Sequence, residues 1–207
     1  RIENRKTADV DEVTVNLNEL SKTKDRSFGA EFVAHSVWNE LKLPQKLAEL
    51  GFTPKDRSLA EAIVCGRLIE PGSELATWEW INSSSAIGEL TEESLDNVGL
   101  NPVYKIGDKL LGHKKELEAH LFNIEAKLHP GREMLYLFDL TNFYFEGQAL
   151  GNSLAMHAKS KEKRDDCPLV SLGLIVDSSG FPVISEIFPG NIGEPGTLRE
   201  ILQKMGY

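Results

Sequence analysis

Hydrophobic and polar positions divide the chain into three stretches of different period. Residues 1–27 are polar and of mixed charge, with one short apolar alternation from Val13 to Leu17, and read as an irregular arm or a short strand. From Phe28 to about Pro130 the spacing is helical. Ala34, Val37, Trp38 and Leu41 recur three and four residues apart, and a short segment at residues 46–50 ends at Gly51. Ser58 with Glu61 reads as a capping box that opens the next helix, through Leu59, Ala62, Ile63 and Leu68. Pro71-Gly72-Ser73 breaks that helix, and another follows over residues 74–82 with Leu75, Trp78 and Trp80. Val103, Ile106, Leu110, Leu117, Leu121, Ile124 and Leu128 predict one long helix over residues 102–128. Its stripe suits packing within its own domain or a coiled-coil seam between two copies.

The period changes after His129-Pro130-Gly131. Residues 134–145 form one apolar strand, residues 146–168 a polar connection, and residues 169–176 a second strand. Asp177-Ser178-Ser179-Gly180 has hairpin-turn residues, so Asp177 is expected to be a turn former, and the third strand covers residues 181–188. Thr197 and Glu200 predict a capping box for a last helix through Leu198, Ile201 and Leu202. Helices followed by an antiparallel meander make the class α+β. The domains expected are an arm at 1–27, a helical domain at 28–130 and a sheet domain at 131–207.

A chain of 207 residues that is 41% hydrophobic and 27% charged can bury a core. Its net charge of -9 argues against a general nucleic-acid coat but leaves room for a local basic groove. Cys65 and Cys167 suit no disulfide framework and no metal spacing, and read as reduced, small apolar side chains. No stretch reaches 18 apolar residues and the first residues are not a signal peptide, so a cytoplasmic location and no membrane partner are expected. The chain opens on Arg1 and ends inside an expected helix, and so reads as a portion of something longer.

Candidate chemistry centres on Asp139, set in the apolar run Met134-Leu135-Tyr136-Leu137-Phe138-Asp139-Leu140. In a buried strand an ionised carboxylate costs several kcal/mol unless something pairs with it. A divalent cation would meet that need and supply chemistry. The other reading is a carboxylate near a strand end, solvated or bonded to backbone donors. His113, His120 and His129 are spaced seven and nine apart, which fits no standard ligand pair. Lys159, Lys161, Lys163 and Arg164 form the densest basic cluster of the second half. They suit phosphate contacts beside the strand, or a solvated loop diluted by Glu162, Asp165 and Asp166. Asn142 and Thr141 follow Asp139 and suit either orienting it, touching substrate or facing solvent.

The segment Phe138-Asp139-Leu140-Thr141-Asn142-Phe143-Tyr144-Phe145-Glu146-Gly147 resembles the first-Asp motif of bacterial insertion-sequence transposases of the DDE type. Residues 160–164, 172–182 and 190–194 are similar to later motifs of that group, and residues 67–76 and 101–104 to its helical N-terminal region. The resemblance covers roughly residues 28–207 and implies the opening half of an RNase H-like domain. It makes Asp139 the first catalytic acid and a ligand of Mg²⁺ or Mn²⁺, with DNA as substrate and a homodimeric parent acting at the nucleoid. In such folds three acids hold two divalent ions about 3.5–4 Å apart for in-line attack on a phosphodiester. The second and third acids have no counterpart here, and Glu194, expected before the last helix, is a motif residue of open role. On this reading the chain alone does not cut DNA. The alternative is a non-catalytic, transposase-derived DNA-binding or interaction protein. A third is an oligomerisation or structural-metal module.

Overall fold

A computed structural model describes residues 25–128, 136–158, 164 and 166–204. The expected strand at residues 13–17 lies outside them. Among the described residues the protein is α+β, with eight helices and one three-stranded antiparallel sheet. The helices are α1 (Gly29–Glu40), α2 (Leu43–Glu49), α3 (Pro54–Ile69), α4 (Glu74–Ser83), α5 (Ile87–Leu90), α6 (Leu100–Gly112), α7 (Lys114–Leu128) and α8 (Glu194–Lys204). The strands are β1 (Tyr136–Tyr144), β2 (Leu169–Asp177) and β3 (Pro182–Pro189). No helix among the described residues is long and apolar enough to cross a membrane.

The chain forms two compact units. The first takes residues up to Trp38 and Phe52–Gly107; the second takes Asn39–Gly51 and the residues from Asp108 on. The stretch 28–130, expected to be one helical domain, is thus divided. Segment α2 and helix α7 belong with the sheet.

In the helical unit α3 is the central element. Leu59, Ala60, Ala62 and Cys65 on it are buried, together with Trp80, Ile81, Ile87, Val103 and Ile106 from the later helices and Leu95 from the connection between α5 and α6. Helix α3 starts earlier than Ser58. Thr53 Oγ1 accepts from the Asp56 amide at 3.2 Å and Asp56 Oδ2 accepts from the Thr53 amide at 3.1 Å, a capping box with Pro54 in the first turn. Proline suits a first turn and disrupts a helix interior, so Pro54 sets the start of α3 ahead of the expected Ser58. Ser58 and Glu61 lie inside the helix and are buried. Ser58 Oγ accepts from the Glu93 amide at 2.9 Å, and Glu61 faces His35. Helix α4 follows expectation, with Ser73 Oγ accepting from the Ala76 amide at 3.2 Å.

The helix expected over residues 102–128 is two helices, α6 and α7, separated at His113. Gly112 is a poor helix former at that point, and the two halves of the stripe have different surroundings. Val103 and Ile106 are buried, whereas α7 has no fully buried residue and leaves Leu128 exposed.

In the second unit the strand order is β1-β2-β3, with Asp139 opposite Leu174 and Leu172 opposite Ile187. The turn between β2 and β3 forms as its residues require. Asp177 Oδ1 accepts from the Ser179 amide at 2.8 Å and the Phe181 amide at 3.1 Å, and Gly180 takes a φ of 87°. Asp177 is therefore the expected turn former, buried beneath its own loop. Helix α8 covers one face of the sheet, where Ile201 is buried with Ile175 and Phe188 and is ringed by Tyr136, Phe138 and Leu140. It begins at Glu194, so Thr197 is an interior residue rather than a cap. Thr197 is fully buried, and burial outranks its capping tendency.

Helix α7 finishes the outer edge of β3. Lys114 Nζ donates to the Ser185 carbonyl, while Glu118 Oε1 accepts from the Ser185 amide at 3.0 Å and hydroxyl at 2.6 Å. Two charged side chains one helical turn apart thus bond the amide and carbonyl that another strand would pair, which guards an otherwise open edge. Glu118→Ala should lower the denaturation midpoint, by about 1 kcal/mol of stability, because it strands the Ser185 amide. An equal midpoint for Glu118→Ala and the exposed control Glu116→Ala would show that this clamp does not stabilise the edge.

Candidate functional site

Strand β1 alternates. Tyr136, Phe138, Leu140, Asn142 and Tyr144 are half-buried, and Leu137, Asp139, Thr141 and Phe143 are exposed. The alternation follows from a period of two with α8 on one face only. Asp139 consequently stands in solvent. This corrects the expectation of a buried carboxylate: its charge is hydrated, and no cation is needed to hold it in place. The long apolar run imitates a strand covered on both sides, yet Leu137, Phe143 and Ile187 are 56%, 51% and 42% exposed. Asp139 and Thr141 therefore lie within an open, largely apolar sheet face. Among the described residues no group of three His, Cys, Asp or Glu is arranged to hold a metal ion.

Asn142 belongs to the opposite face. Its Oδ1 accepts from the hydroxyl of Ser171, which is buried on β2, at 2.9 Å. That bond ties β1 to β2 and directs the amide away from Asp139. Thr141 is the neighbour that shares the face of Asp139.

Lys159, Lys161 and Lys163 lie outside the described residues. Arg164 is described and is held locally. Its Nε and Nη2 donate to the two carboxylate oxygens of Asp166 at 2.9 and 3.0 Å. Nη2 also reaches Cys167 Sγ at 2.6 Å, and Nη1 stands 3.7 Å from Glu146 Oε1. The guanidinium lies 5.7 Å from the centre of the Tyr144 ring. The Arg164 bond holds the Asp166 carboxyl well below the usual carboxylate range. The Cys167 thiol is pushed up, first by its bond to Asp166 and then by burial. Cys167 is thus a protonated, structural thiol; Cys65 is likewise free and buried. Nothing in the sequence but the two-residue spacing of Arg164 and Asp166 announces this cluster.

Asp166 and Cys167 also line a cleft of about 540 Å³ with Glu146, His157, Phe145 and Pro168. Tyr144 is five residues along β1 from Asp139, or roughly 17 Å. The cleft wall carries two carboxylates, so phosphate contact there depends on Arg164 exchanging its carboxylate partners. Among the histidines, His120 Nε2 bonds the Leu41 carbonyl at 2.9 Å, a packing role, and His129 lies outside the described residues. Glu194 is the first residue of α8 rather than a residue before it.

No protein-family model matches the chain, and neither a curated protein nor a solved structure shows significant similarity to it.

Proposed function

We propose that this chain is the front portion of a DDE-type DNA transposase: a helical unit followed by the opening half of an RNase H-like domain. One observation carries the reading. Asp139, within the motif Phe138–Gly147, stands on the uncovered face of the first strand of an antiparallel meander that leads into a helix. That is the order of elements with which an RNase H-like domain opens. In the parent enzyme Mg²⁺ or Mn²⁺ would support cleavage at element ends and strand transfer into target DNA, with a homodimer as the acting species. Two divalent ions need several carboxylates. Asp139 alone does not meet that need, so no metal step is assigned to the described residues.

The basic connection between β1 and β2 is the proposed DNA contact, since side chains that touch phosphates position the scissile backbone. Lys161→Ala combined with Arg164→Ala should weaken DNA binding and flatten its dependence on salt, by about one unit of slope for each phosphate no longer neutralised. The measurement is Kd against salt concentration on a duplex carrying an element end. Unchanged affinity and slope would take this connection out of the interface.

A further inference from the structure

Four chemically active side chains in the helical unit take no part in the proposed site. Glu31 and His35 are one turn apart on α1, and Glu61 and Cys65 are one turn apart on α3. His35 Nδ1 lies 2.6 Å from Glu61 Oε1, and the Glu61 side chain is only 5% exposed. Glu31 is fully buried. Its Oε1 accepts from the Ser27 hydroxyl and, at 3.1 Å, from the Ser85 hydroxyl. Its Oε2 is buried with no hydrogen-bond partner among the described residues. Two buried carboxylates and one imidazole therefore meet where α1 joins the rest of its unit.

We propose that this contact is a proton-linked latch: α1 docks on α3 while Glu61 is protonated and loosens when Glu61 ionises. The titratable groups around it are His35 and Glu31 from α1 and Cys65 from its own helix, while Ser85, which follows α4, brings only a hydroxyl. Burial raises the Glu61 pKa above the ordinary carboxylate value, and the bond and charge of His35 oppose the rise without cancelling it. The Cys65 thiol is pushed up to about 12 by burial and by the nearby carboxylates, so it stays protonated through neutral pH. A carboxyl whose folded pKa exceeds its unfolded value stabilises the docked state fully at low pH. That contribution is lost as the pH rises through the folded value. Each unit of elevation makes opening about tenfold easier well above both values.

Loosening has a readable consequence. Helix α1 carries Trp38, 5% exposed, on its inner side and the half-exposed Phe32 on its outer side, where Phe28, just ahead of the helix, stacks on it at 5.6 Å. Release of α1 would free the inner face and change how the outer one is presented.

The test is amide hydrogen exchange of the whole chain from pH 5 to 8, corrected for intrinsic rates. Residues 31–38 report on α1 and residues 100–107 of α6 serve as the reference. Opening of α1 relative to α6 should rise several-fold across that range. In Glu61→Gln, which keeps the shape and a hydrogen bond to His35, the rise should vanish. In His35→Gln, which removes the imidazole charge, the rise should persist and steepen. The proposal fails if Glu61→Gln keeps the native pH dependence. It fails equally if His35→Gln abolishes it, because the imidazole would then be the titrating group.

Discussion

Asp139→Asn should abolish strand transfer in the protein that carries this chain while leaving its fold and DNA affinity intact. Direct ligands matter at least as much as the groups behind them, whose loss costs roughly 10–100-fold. Transfer of an element end in Mg²⁺ should therefore fall by about a hundredfold or more. Stability should change by less than about 0.5 kcal/mol, because Asp139 is exposed and a surface substitution of this kind disturbs no packing. Leu137→Ala, at an exposed position of the same face, is the matching control for local disturbance. Strand transfer that survives Asp139→Asn at the native rate would end the assignment of Asp139 as an essential acid, and with it the reading of β1 as the first strand of a transposase core.

Gly190→Ala should have the largest effect on folding of any single methyl group added to the sheet unit. A Cβ at Gly190 would lie 2.1 Å from the Leu169 carbonyl oxygen and 2.6 Å from Leu169 Cδ1. That oxygen cannot step aside cheaply, because it accepts from the Met156 amide at 3.0 Å. The Gly190 amide is also committed, donating to Leu154 O at 3.1 Å. Forcing the backbones apart breaks both bonds at the end of β3, for a loss of about 3 kcal/mol or more. Gly107→Ala, inside α6 with nothing within 4 Å of the added methyl, should instead gain about 0.5–1 kcal/mol. Urea midpoints of the two variants should move in opposite directions. A Gly190→Ala midpoint equal to the native one would show that the end of β3 is looser than its hydrogen bonds imply.

Local chemistry made much of this molecule legible from its residues. The β2–β3 turn follows from Asp177 and Gly180, the stop before α4 from Pro71-Gly72-Ser73, and the extent of the three strands from apolar runs bracketed by turn residues. In each case the deciding interactions lie within a few residues of one another. The expected start of α3 at Ser58 gave way to the residue with the steeper steric cost: Pro54 fixed the start and left Ser58 and Glu61 inside the helix.

What lay beyond reach depends on partners far apart in the chain. The apolar run around Asp139 is the same whether one face of β1 is covered or two, and only the placement of α8 on the Phe138 face decides that Asp139 is solvated. The 3.6-residue stripe from Val103 to Leu128 is continuous in sequence, yet what surrounds each half divides it at His113. Lys114 and Glu118 look like an ordinary helix-surface pair until Ser185, 67 residues beyond Glu118, arrives between them. Glu61 looks like a cap until His35 faces it across two helices. The residues alone determine periods, turns and stops, because those are set by short-range sterics and hydrogen bonding. Burial, which leaves Asp139 in solvent and raises the Glu61 pKa, is a property of what packs against each residue, and only the tertiary structure decides it.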